Sequence, residues 1–152
     1  MGCDIYIVAE RKTADGYKAI RDVQFTEGTA PFDWRSYGLF GFLADVRNYS
    51  QVPPIAQPRG LPDDASPEAR DDAELNITHS WLSVSELKAF DYDRLVEDRR
   101  LNGQPWDGRS VTTEPGFGEM VTYRAFLGEA FFRDLEKLVE CGADRIVFCF
   151  DS

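Results

Sequence analysis

The chain is poor in the residues that most often carry recognisable chemistry. It has one histidine and three cysteines in 152 residues. A lone histidine cannot build a histidine-rich metal site, and Cys3, Cys141 and Cys149 stand in no metal-type spacing, so no metal and no cofactor are expected. An odd number of cysteines without a disulfide pattern suits reduced thiols, and a cytoplasmic protein is expected. No apolar run approaches the ~20 residues that span a bilayer. The opening Met1-Gly2-Cys3-Asp4 lacks the basic segment of a secretion signal, and Tyr6 stands where a myristoylation pattern needs Ser or Thr. Positive charge is also scarce. Seventeen basic against 27 acidic side chains give a net charge of −10, which repels long nucleic acids and anionic membranes. The glycine-rich phosphate loop, the dinucleotide fingerprint and the nucleophile elbow are all missing, and no catalytic residue can be assigned.

What is present is a globular composition, 43% apolar and 13% aromatic. The length suits one domain, 1–152, with room for a small subdomain. Cys3 to Glu10 is rich in β-branched and aromatic residues, and Asp15-Gly16 is a hairpin turn signal, so a strand returning over about Tyr17–Val23 is expected. Arg145 to Phe150 is a second strand, apolar enough to be covered on both faces and expected beside the first. Leu39, Phe42, Leu43 and Val46 form one stripe of a helix over about Arg35–Val46, in which Gly38 and Gly41 suggest close packing. Prolines 53, 54, 58 and 62 mark a long loop. Ser66-Pro67-Glu68 starts an acidic helix to about Glu74, expected to be exposed, and Ser83 to Glu86 is a capping box opening a helix to Phe90. Further helices are expected over Asp91–Arg100 and Val121–Cys141, the second stopped by Gly142, with turns at Asn102-Gly103 and Asp107-Gly108 between them. The fold class is α+β, a small sheet joining the two ends of the chain and packed by helices.

Charge is unevenly spread. Residues 63–74 hold six acids against Arg70, half of the whole excess. Residues 31–62 carry Arg35, Arg47 and Arg59 against Asp33 and Asp45, a net +1, together with Phe32, Trp34, Tyr37, Phe40, Phe42 and Tyr49. Guanidinium groups pair with phosphate oxygens and aromatic faces stack on bases, so this island fits a small phosphorylated ligand. The other reading is a core of aromatics with surface arginines. Arg47 also suits a helix C-terminus, and Arg59, between prolines, suits either an anion or an ion pair with Asp63, Asp64 or Asp71. His79 is either a general base, with Asp4 or Cys3 in reach, or a structural histidine. Cys3 is expected to be a small buried side chain.

Met1-Gly2-Cys3-Asp4-Ile5, Tyr37-Gly38-Leu39-Phe40, Val46-Arg47-Asn48, Arg59 to Asp64 and His79-Ser80-Trp81-Leu82 together resemble a family of small uncharacterised bacteriophage and prophage proteins that begin Met-Gly-Cys-Asp-Ile-His. This chain departs from that opening at Tyr6. The resemblance implies an accessory protein acting in a host cytoplasm, with counter-defence as one such role. Three functions are therefore carried forward. The leading one is a binding protein that sequesters a nucleotide-like signal through Arg35, Tyr37, Arg47, Asn48, Arg59, His79 and Trp81. The alternatives are a hydrolase or nucleotide-modifying enzyme using His79, and an acidic module, around Ser66–Glu74, that engages a host protein. Assembly into a homo-oligomer is compatible with each.

Overall fold

The computed structural model describes residues 2–100, 116 and 118–152, and the Asn102-Gly103 and Asp107-Gly108 turns lie outside them. The described residues hold six strands and five helices in two compact units. The first unit comprises Met1–Trp34, Pro58–Phe90 and Ala130–Ser152; the second comprises Arg35–Gln57 and Asp91–Glu129. The fold is α+β. No helix of the described residues is long and apolar enough to cross a membrane.

The first unit is built on an antiparallel sheet of order β2-β1-β6-β3, from β1 (Ile5–Thr13), β2 (Gly16–Ala19), β3 (Ile77–Ser83) and β6 (Arg145–Phe150). The two strands nearest the chain ends lie side by side at its centre, with Ile5 opposite Phe150 and Glu10 opposite Arg145. Gly16, at φ 105°, supplies the left-handed turn residue of the hairpin. The returning strand stops at Ala19, short of the expected Val23.

Residues opposite one another share a face, so Val8 and Val147 lie together. Helix α2 (Pro67–Glu74) contributes Ala69 to that cluster, with Ala65 just before it. This corrects the expectation of an exposed helix: two alanines, Ala69 and Ala73, are buried and make a face narrow enough to escape a search for large apolar residues. A polar group is locked on the same face. Glu10 is fully buried and receives Arg145 Nε at 2.6 Å and the Ser66 amide at 2.8 Å. Arg145 also reaches Asp64 at 3.0 Å and lies over the Tyr17 ring.

Helix α3 (Val84–Ala89) begins with the expected capping box. Helix α5 (Glu129–Glu140) buries Phe131, Leu135 and Leu138. Its Asp134, also buried, accepts the amides of Thr26 and Phe32 and the Thr26 hydroxyl, which ties the preceding loop down and seats Phe32 on Phe131, ring centroids 4.6 Å apart.

The second unit holds α1 (Tyr37–Ala44), α4 (Tyr123–Leu127) and an antiparallel pair of β4 (Leu95–Asp98) and β5 (Glu119–Thr122). Two expectations are corrected here. Asp91–Arg100 contains a strand, and the helix expected from Val121 is split. Val121 pairs with Val96, Thr122 caps α4 by accepting from Ala125, and Gly128 at φ 87° ends that helix before α5 starts. Gly38 packs against Arg100 and Phe126, as a close approach without a side chain requires.

Candidate functional site

Within the second unit, Arg47, Asn48 and Tyr37 come together around the end of α1. Ser36 opens that helix by accepting from the Leu39 amide. It ends at Asp45, whose left-handed backbone (φ 58°) lets its amide reach back to the Gly41 carbonyl. Arg47 and Gln51 are left-handed too, at φ 48° and 52°. None of the three is glycine, so each conformation costs about 1 kcal/mol or more and persists only where neighbours enforce it.

Asn48 is the enforcer. Its Nδ2 donates to Asp45 Oδ1 and to the Val52 carbonyl, both at 2.8 Å, and its Oδ1 accepts the Val52 amide at 3.0 Å. The side chain lies against Gly41, where an added Cβ would sit 2.5 Å from Oδ1. Asn48 thus builds the loop, and its amide has little capacity left for a ligand. The loop presents Arg47 over the Tyr37 ring, 5.6 Å from its centroid, and Tyr49 beside that ring at 5.9 Å. Tyr37 is buried, whereas Tyr49 is 42% exposed. Arg35 lies exposed one residue before the cap. Phe32, Phe40 and Phe42 are fully buried, so most of the aromatic island belongs to core.

Arg59, His79 and Trp81 belong to the first unit. Arg59 makes a two-point bond to Glu86, at 2.6 and 2.8 Å, and lies over the Trp81 indole 4.7 Å from its centroid. Its carboxylate partner is therefore Glu86 rather than Asp63, Asp64 or Asp71. The Arg59 hydrogen bond outweighs burial and holds Glu86 below the usual glutamate value. His79 Nε2 lies 2.7 Å from the Asn76 carbonyl and 3.0 Å from that of Ala73. Both partners only accept, so this nitrogen carries the proton, as in a structural histidine. Cys3 is fully buried. Trp34, in the same unit, meets Phe32 edge-on.

Two open depressions flank Arg21 in the first unit. One, about 410 Å³, is bordered by Arg11, Thr13, Lys18, Arg21 and Asp22. The other, about 370 Å³, is bordered by Asp4, Tyr6, Arg21, Thr29, Asp33 and Asp72. Burial, reinforced by Glu27, Asp4 and Asp72, pushes Asp33 above the ordinary aspartate value. Burial likewise raises Asp72 against the pull of Arg21. Tyr6 is raised mainly by the charge of Asp151. Among the described residues no set of three or more His, Cys, Asp or Glu side chains is gathered as a metal requires. The basic depression is missing from the expected site: the hairpin closes on Ala14-Asp15 with Thr13 opposite Gly16, and this register, which a two-residue turn at Asp15-Gly16 would not give, sets Arg11 opposite Lys18.

The chain matches no protein-family model, no curated protein and no solved structure.

Proposed function

We propose that the protein binds and sequesters a small phosphorylated ligand, such as a nucleotide signal, as a phage accessory protein of the anti-defence kind. The observation that carries this reading is the loop after α1, where three non-glycine residues within seven are left-handed and locked by Asn48 around Arg47 and Tyr49. Backbone strain of this sort concentrates at ligand clamps, where it fixes groups before the ligand arrives. A guanidinium supplies the phosphate contact and the exposed Tyr49 ring, backed by buried Tyr37, supplies an aromatic surface for a base. Fixing them in advance removes part of the ordering cost that a mobile loop would meet on binding. The Nε2 proton of His79, held by two carbonyls, favours binding over turnover.

Protein purified from producing cells should release a nucleotide on denaturation. Calorimetry against cyclic nucleotides and ADP-ribose derivatives should find a ligand whose affinity falls about tenfold or more in Arg47→Ala, the size of one charge-assisted contact. No binding anywhere in that panel refutes the reading.

A further inference from the structure

The geometry points to a second anion seat, on the β1–β2 hairpin, where Arg11, Lys18 and Arg21 take the phosphate group of a small molecule. The hairpin register sets Arg11 directly opposite Lys18. Like charges so placed repel one another, and an anion between them removes the repulsion. The other arginine pairs of the described residues show the contrast. Arg59, Arg99, Arg100, Arg124 and Arg145 each meet a carboxylate within ion-pair distance. No ion pair among the described residues includes Arg11, Lys18 or Arg21.

Arg11 does donate to the Cys141 carbonyl at the end of α5, which orients the guanidinium without neutralising it. The Thr13 hydroxyl is turned to the Gly16 carbonyl and contributes no donor. Three cations thus border the depression of about 410 Å³ against one carboxylate, Asp22, and that volume lies within the range of small-molecule sites. Asp4, Asp33 and Asp72 stand on the far side of Arg21 and repel a polyanion that runs past it. The seat therefore suits a short phosphate-bearing molecule, not a nucleic-acid strand. It shares no residue with the Arg47 loop.

The test is calorimetric titration of the full chain with inorganic pyrophosphate at fixed ionic strength, with circular-dichroism melts to verify folding. Saturable binding is expected, weakened about tenfold by Lys18→Ala and by Arg21→Ala and unchanged by Lys88→Ala, which removes an exposed cation from α3. Lys18→Gln replaces Lys18→Ala if the latter fails to fold. Absence of saturable binding, equal affinity in the hairpin variants, or an equal loss in Lys88→Ala would each overturn the proposal. Loss in Arg47→Ala with none in the hairpin variants would overturn it as well, and would leave the Arg47 loop as the anion site.

Discussion

Gly41→Ala tests the loop through the sign of its effect. On an exposed helix face this change stabilises by about 1 kcal/mol, because alanine loses less backbone entropy than glycine. Here the new Cβ would lie 2.5 Å from Asn48 Oδ1 and 2.7 Å from its Cγ, so the Asn48 side chain must move. Its three hydrogen bonds to Asp45 and Val52 go with it. At about 1 kcal/mol each, their loss outweighs the gain and leaves a net destabilisation of about 2 kcal/mol. With a urea dependence of about 2 kcal/mol per molar, the unfolding midpoint should fall by about 1 M. Hydrogen exchange at the Val52 amide, which Asn48 protects, reports the second unit locally. In an Asn48→Ala background the contacts with Oδ1 and Cγ are gone and only a tight approach of 3.1 Å to the Cβ of residue 48 remains, so Gly41→Ala should then be at worst neutral and gain at most about 1 kcal/mol, a coupling of about 2–3 kcal/mol between the two sites. A higher midpoint for Gly41→Ala in the native background would refute the account of the loop, and with it the claim that Arg47 is held in place.

Four further outcomes are expected. Glu10→Gln removes the charge facing buried Arg145 and should cost about 3 kcal/mol, read as a lower melting temperature; an unchanged melt would mean that Asp64 suffices. Asp72 has a folded-state pKa above its ordinary value of 3.8, so its ionisation costs stability, increasingly as pH rises from 3.8 through the folded value and fully at neutral pH. Asp72→Asn should accordingly melt higher than the native protein at pH 7 and lose that advantage below pH 3.8, whereas Glu86, depressed from 4.5 by Arg59, supplies stability that disappears as pH falls through its folded value and that Glu86→Gln should abolish. Burial, with some help from Asp72, pushes the Cys149 thiol up to about 12, so iodoacetamide at pH 8 should spare Cys149 in the folded protein and modify it in urea, as peptide mass mapping can verify.

Local signals read the fold well where one residue type decides the backbone. Asp15-Gly16 announces its hairpin, Ser66-Pro67 and Ser83-Val84-Ser85-Glu86 announce α2 and α3, and the apolar run from Arg145 becomes the central strand β6. Strand β3 was hidden because the register shifts between Ile77 and Ser80, with Thr78 left-handed at φ 56°, and this spoils the alternation that marks a strand. Strands β4 and β5 are four residues each and find one another across a separation of about twenty positions. Neither carries a pattern long enough to compete with the helical signals around it.

The candidate site was legible in composition and illegible in partnership. Arg35, Arg47 and Arg59 appear as one island because they are neighbours in the sequence, yet the chain places 35–57 in one unit and begins the next segment of the other at Pro58. Arg59 then finds Glu86, whose own place is fixed by the capping box at Ser83, so two unrelated local signals combine into one ion pair. In sequence Asn48 suggests a ligand contact, because an amide can donate and accept. That same capacity lets it satisfy Asp45 and Val52 together and hold three strained residues around Arg47. The net charge of −10 conceals a second case of the kind. Arg11 and Lys18 are unremarkable in sequence and become a cation pair only when the turn between Thr13 and Gly16 sets them opposite each other. For a small anion, the field that matters is set by strand register and loop strain over a few ångströms, and a sum over the whole chain says little about it.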